Sequence, residues 1–267
     1  MSVFRKIMRP TDGAAWVTGA SKGIGAALAT ALAAEGWTVY ATARSPEPLE
    51  KLAAGSVDAG HPGRIVPLPG DVTDPDAMQS AVARILADGP LALAVLNAGI
   101  YHPMRAQTFD VAKAAQTIDV NLTGVANALA PAMAHMIERG TGHLALMASV
   151  AGYRGLPNAA AYSATKAGVI AMAEALAMDL VDLGVRISVI NPGFVETEAT
   201  AVNEFKMPML MSTDAAAAKI VAGLKRPGFE IRFPWQFALI LRTVGLLPNR
   251  WYLWAVRKAL GWDKMDR

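Results

Sequence analysis

The 267-residue chain contains no cysteine. Disulfides, thiol nucleophiles and thiolate metal sites are therefore excluded, and the redox compartment stays unread. Histidine is scarce: His61, His102, His135 and His143 make up the whole set. None stands in an HExxH-type spacing, so no metal is assigned. Long apolar runs are missing too. The longest stretches are strand-like or broken by charge, and none reads as a spanning helix. The start, Met1 to Asp12, is short and basic and lacks the apolar core of a secretory signal, which makes the cytoplasm the expected compartment. Charged residues supply only 18% of the chain and hydrophobic ones 53%, a balance that excludes disorder and predicts a large buried core. No nucleic-acid partner is expected.

What is present is an alternation. Short apolar or β-branched runs occur at Ala14–Val17, Thr38–Ala41, Arg64–Leu68, Ala92–Leu96, Gly142–Met147, Arg186–Ile190 and Phe229–Phe233. Alanine-rich stretches with helical spacing lie between them, at Ile24–Glu35, Asp74–Ala87, Phe109–Arg139 and Tyr162–Leu183. Strict strand–helix order predicts an α/β fold: a doubly wound parallel sheet of about seven strands with helices on both faces. No flexible linker and no repeat interrupts it, so residues 1–235 read as one domain. Residues 236–267 read as a basic, aromatic C-terminal extension.

Strand Ala14–Val17 runs into Thr18-Gly19-Ala20-Ser21-Lys22-Gly23-Ile24-Gly25 and then a helix. Gly19 permits a tight turn, Gly23 lets backbone approach a phosphate, and Gly25 allows close helix–sheet packing. The helix N-terminus then presents free N–H groups to a pyrophosphate. The spacing is TGxxxGxG, and with it the chain resembles the short-chain dehydrogenase/reductase family, single-domain branch, from about Gly13 to Thr197. Further motifs follow in the family's order. The resemblance implies that Asp71 meets the adenine amino group, with Val72 supplying backbone. It implies that Asn97-Ala98-Gly99 closes the fourth strand over the cofactor, and that Pro192-Gly193 with Thr197 cradles the nicotinamide. The choice of nicotinamide is read from the second strand. An NAD site places a carboxylate there, yet the chain runs Tyr40-Ala41-Thr42-Ala43-Arg44-Ser45 without one. Arg44 suits a 2′-phosphate, because a guanidinium donates two parallel bonds to it. Lys22 matches a second basic position of the family's NADP-binding members. The expected cofactor is NADP(H).

Tyr162 and Lys166 stand at i and i+4 and share one helix face. Ser149 lies at the end of the fifth strand, and Asn121 on the long helix before it. This set matches the family's Asn-Ser-Tyr-Lys tetrad residue by residue. Reduction of a carbonyl needs a proton donor for oxygen, and a cation beside a phenol lowers its pKa from ~10. The resemblance makes Tyr162 general acid or base, Ser149 the group that holds the substrate oxygen, and Lys166 both tuner of the phenol and holder of the ribose. It gives Asn121 a water in the proton relay.

Ligands in open α/β sheets bind beyond the carboxyl ends of the strands. His102, Val150, Tyr153, Leu156, Phe194, Phe205 and Met207 are the expected wall of the substrate site. The run Met207–Met211 reads either as a helix packing face or as an adaptable lid over an apolar ketone. From Lys219 to Arg267 ten Lys/Arg face three Asp/Glu. That basic, tryptophan-rich tail reads either as a packing or dimer surface or as a membrane-interface segment. The function expected is NADP(H)-dependent reduction of a ketone or aldehyde to an alcohol, or the reverse, on an apolar substrate. A non-catalytic NADP(H) sensor and a membrane-surface lipid-modifying reductase are the alternatives. Relatives pair their two long helices across a two-fold axis, which implies a homodimer or tetramer.

Overall fold

Along the first strand, β1 (Ala14–Thr18), side chains alternate between two cores. Ala15 and Val17 face one and Trp16 the other, all fully buried. Both faces are apolar because both are covered by helices. The structure, a computed structural model, describes residues 7–201 and 207–259. A glycine loop leads from β1 into α1 (Gly23–Ala34), followed by β2 (Thr38–Thr42), α2 (Pro46–Asp58), β3 (Arg64–Pro67), α3 (Pro75–Asp88) and β4 (Leu91–Leu96). The second half holds α4 (Val111–Ile118), α5 (Gly124–Arg139), β5 (Gly142–Met147), α6 (Ala160–Leu180), β6 (Val185–Pro192), α7 (Glu198–Ala201), α8 (Thr213–Leu224) and β7 (Glu230–Phe233). Helices α9 (Trp235–Gly245) and α10 (Asn249–Ala259) complete the described chain.

The seven strands form one sheet in the order β3-β2-β1-β4-β5-β6-β7, every pair parallel. It is a Rossmann-type sheet in a single domain, with a topological switch point between β1 and β4. Such a point opens a crevice at the strands' carboxyl ends. Leu28 and Leu32 of α1 pack with Ile220 and Leu224 of α8 on one face. Ile85 of α3, Leu129 and Met136 of α5, and Val169 of α6 fill the other. Local signals set the helix ends. The Asp74 carboxylate accepts from the Asp76 and Ala77 N–H groups at 2.9 and 3.1 Å, which caps α3. Gly140, at φ 65°, ends α5 in the left-handed conformation that glycine adopts without strain.

One expected element is divided. The stretch Phe109–Arg139 is not a continuous α-helix, because a five-residue π turn, Asp119–Thr123, separates α4 from α5. The extra residue per turn brings Asn121 inward, and π turns often mark functional positions. The run Met207–Met211 forms no helix: Met211 pairs as an isolated parallel bridge with Val195.

Candidate active site

The glycine loop is built so that nothing larger fits. A Cβ on Gly25 would lie 2.2 Å from the Gly19 carbonyl oxygen, and one on Gly19 would lie 2.7 Å from Ala98 Cα. Gly19 and Gly23 also hold positive φ, 68° and 59°. The first bond of α1 runs from Ala26 N–H to Lys22 O at 3.3 Å. The amides of Gly23, Ile24 and Gly25 therefore precede the helical ladder and point out of its N-terminus. Asn97 fixes the loop from β4, as its amide donates to Thr18 O at 2.9 Å and Gly19 O at 3.2 Å. Its backbone N–H and that of Ala98 donate to Thr18 Oγ1 at 3.0 and 3.1 Å. Asp71 closes a turn by accepting from Thr73 N and Oγ1 at 3.0 and 2.9 Å. Lys22 pairs with Glu198 of α7 across the mouth of the loop. Arg44, just past β2, is exposed and makes no hydrogen bond or ion pair among the described residues.

Beside this loop lies a second constellation. Ser149 follows β5, and its Oγ accepts from Ala151 N–H at 3.1 Å. Tyr162 and Lys166 project from the first turns of α6. Lys166 Nζ donates to Met147 O at 2.8 Å and sits 5.6 Å from the centroid of the Tyr162 ring. Tyr101 meets Tyr162 edge to face, with centroids 5.1 Å apart. Burial pushes the Tyr162 phenol up to about 12, against a downward pull from the Ser149 hydroxyl. Burial also pushes Lys166 down to about 8. The expected lowering of the phenol is thus absent from these residues by themselves, since burial, with Tyr101 beside the ring, outweighs the Ser149 hydroxyl. Asn121 stands one layer behind, fully buried. Its Oδ1 accepts from Ile100 N–H at 2.7 Å and its Nδ2 donates to Ile100 O at 2.8 Å. The same Nδ2 also donates to Thr165 Oγ1 of α6 at 3.4 Å, so the amide ties the Ile100 backbone to the helix that carries Tyr162 and Lys166.

A single cavity of about 1150 Å³ joins the two constellations. Every residue expected at the cofactor lines it, from Gly19 through Arg44 and Asp71 to Thr197, as do Ser149, Tyr162 and Lys166. Of the expected substrate wall, Val150, Leu156, Phe194 and Met207 line it. His102 and Tyr153 do not. His102 Nε2 bonds Gln116 Oε1 at 3.0 Å, and Gln116 itself lines the cavity. The Tyr153 hydroxyl donates to Glu230 Oε1 at 2.5 Å, toward the far edge of the sheet. Phe205 lies outside the described residues. Sequence reasoning missed the outer wall altogether. Phe237, Ile240, Leu241 and Val244 of α9, with Ala255 and Val256 of α10, cover the cavity. Arg154 holds this hairpin down. It donates to Gly245 O and Leu247 O at 2.6 and 2.7 Å and to Asn249 Oδ1, and lies 4.1 Å from the Tyr252 ring centroid.

A glycine-cradled helix N-terminus beside a half-buried tyrosine and a buried lysine, at the switch point of a parallel sheet, defines a dinucleotide-dependent redox fold. Residues 13–207 match the family described as short chain dehydrogenase, and the chain belongs to that family of nicotinamide-dependent oxidoreductases. It is 40% identical over 245 residues to an uncharacterized oxidoreductase of Myxococcus xanthus, a match covering 91% of this chain and 96% of the other. Its structure is similar to the alcohol dehydrogenase of the archaeon Thermococcus sibiricus complexed with 5-hydroxy-NADP. That comparison has a TM-score of 0.75 at 26% identity and covers 83% of this chain and 95% of the other. It is likewise similar to an actinorhodin polyketide ketoreductase with NADPH, at TM-score 0.75 and 28% identity, covering 85% of this chain and 97% of that one.

Proposed function

We propose that the chain is an NADP(H)-dependent reductase of apolar ketones or aldehydes, running the reverse oxidation where alcohol is in excess. The observation that carries the reading is the continuous cavity that places Ser149, Tyr162 and Lys166 beside the glycine loop. The cradle fits a dinucleotide: close-packed glycines, helix N-terminal amides that precede the α1 ladder, and two cations on its rim, Arg44 and the Glu198-paired Lys22. When bound, the nicotinamide supplies or accepts the hydride. Ser149 Oγ accepts from Ala151 N–H and donates to Pro192 O at 3.5 Å; on this reading the hydroxyl exchanges that long bond for one to the substrate oxygen. A phenol at about 12 is fully protonated at neutral pH, which suits Tyr162 to donate as charge develops on that oxygen. Lys166 then stabilises the phenolate that remains. The apolar walls from Val150, Leu156, Phe194 and α9 favour an apolar carbonyl compound.

The preference for NADP(H) rests on Arg44 and Lys22 and on the lack of an acid from Tyr40 to Ser45. Arg44→Asp removes a phosphate partner and adds a like charge. The KM for NADPH should rise at least about tenfold, roughly 1.4 kcal/mol, with NADH use unchanged or improved. Steady-state kinetics with both cofactors decide it, and a wild-type preference for NADH would sink the assignment. The sensor alternative has no use for the Ser149–Tyr162–Lys166 set, and turnover on a panel of ketones eliminates it.

A further inference from the structure

The α9–α10 hairpin has two apolar sides, and the cavity uses only one of them. Phe237, Leu241, Val244 and Val256 face inward. The outward side carries Trp235, Leu239, Trp251, Leu253 and Trp254, each between 50% and 60% exposed, and Leu246 at the tip is 86% exposed. So much large apolar surface on two adjacent helices marks an interaction site. Its charge is one-sided. Residues 235–259 include Arg242, Arg250, Arg257 and Lys258 and no Asp or Glu. Arg242 is turned back to Glu230 at 3.2 Å, so the outward charge belongs to α10. There, Arg250 lies 5.7 Å from the centroid of Trp251 and Lys258 lies 5.1 Å from that of Trp254. Each exposed indole of α10 is paired with a cation.

From this pairing we infer that α9–α10 docks on an anionic lipid surface, with the tryptophans in the interface and the α10 cations against the headgroups. Indole and long basic side chains are the groups that settle at that depth. Basic residues near an anionic leaflet add attraction that accumulates with their number. A second copy of the chain is the rival occupant. A two-fold contact through this hairpin would set α10 cations opposite α10 cations, with no acid on either helix to neutralise them. Ile240 is both 52% exposed and part of the cavity wall, so at α9 the wall of the cavity borders the docked face. On the reductase reading above, an apolar substrate enters there directly from the bilayer.

Sedimentation of the full chain with vesicles tests the docking without any assay of turnover. One vesicle set is pure phosphatidylcholine, and the other contains roughly one third phosphatidylglycerol. The chain should sediment with the second set and not the first, and added salt should release it. Trp251→Ser with Trp254→Ser, and separately Arg250→Gln with Lys258→Gln, should each weaken partitioning about tenfold. These side chains lie outside the cavity, so thermal melting and reduction of a short water-soluble ketone should stay at wild-type levels. Failure to sediment with anionic vesicles overturns the docking, as does partitioning that neither double variant weakens. A dimer split by both variants, without vesicle binding, hands the face to a second copy. Turnover of the soluble ketone in any of these cases leaves the reductase reading standing, and its absence would count against that reading alone.

Discussion

Among the described residues, Tyr162 is the one side chain on the cavity wall that combines a protonated oxygen, a neighbouring cation and a serine partner. Replacing it by phenylalanine removes one oxygen and keeps the ring against Tyr101. The kcat should fall at least about a hundredfold while NADPH affinity barely changes, since general acid–base catalysis contributes ~10²–10⁴-fold. A Tyr162→Phe enzyme with more than half the wild-type kcat would reject the mechanism. Lys166 makes a separate prediction through linkage. Its pKa is about 8 in the folded chain against 10.5 for the free side chain. Between those values the unfolded chain binds more protons, so stability rises with pH across that window. Below about 8 the buried ammonium costs roughly 3 kcal/mol relative to a neutral group. Lys166→Met should therefore be inactive yet closer to, or above, wild-type stability at pH 7, and should lose that relative advantage by pH 10.5. Denaturant titrations at several pH values measure the difference, and a flat difference would show that the ammonium is not desolvated. These residues were legible in the sequence because their spacing is local: a glycine loop between strand and helix, and a tyrosine one helical turn before a lysine. That His102 and Tyr153 stand off the cavity wall was not legible, for the opposite reason. Their partners, Gln116 and Glu230, come from elsewhere in the chain, and nothing beside them announces the bond.

At the scale of elements, the strands were readable to within a residue or two, because parallel strands buried on both faces appear as short continuous apolar runs. The π turn between α4 and α5 was not. Within it Asn121 grips Ile100, a contact between a helix and a loop that no local pattern encodes. The role of the tail was equally hidden, for it depends on Arg154, more than ninety residues before the carbonyls it binds. That guanidinium supplies the orphan carbonyls at the end of α9 with donors and ties the hairpin to the loop after Ser149. Arg154→Ala should loosen the hairpin by about 1–3 kcal/mol, as expected for charged hydrogen bonds lost in part-buried surroundings. Limited proteolysis should then cut near Leu246–Pro248 where the wild type resists. KM should rise more for a bulky apolar ketone than for a small one, because only the former needs the α9–α10 wall. Unchanged proteolysis together with unchanged KM for both substrates would show that the clasp has no such function.

On the scale of the whole molecule, the sheet and its inward helix faces are satisfied, but a second outward face, besides that of α9–α10, is not. Along α6, Ala164, Ala167, Ala171, Ala175 and Met178 are all exposed. The spacing of three and four residues puts them on a single stripe. Beside it, α4 exposes Val111 at 74% and Ile118 at 46%, and Met178 itself is 73% exposed. Small residues allow two helices to approach closely, and the flanking large ones would bury well against a second copy. A two-fold axis through this face would pair α6 with α6 and bring the α4–α5 segments alongside, a self-complementary contact that closes at two subunits. The chain should therefore be at least a homodimer at micromolar concentration by multi-angle light scattering. Ala171→Arg combined with Met178→Glu puts charge and bulk into the stripe without touching the cavity, and should shift the mass to that of a monomer. The same measurement separates this face from the tail. Trp251→Ser with Trp254→Ser should leave the dimer intact if the two surfaces serve different partners. A wild-type chain that is monomeric at that concentration, or a dimer indifferent to the α6 substitutions, would remove the α6 face from the assembly.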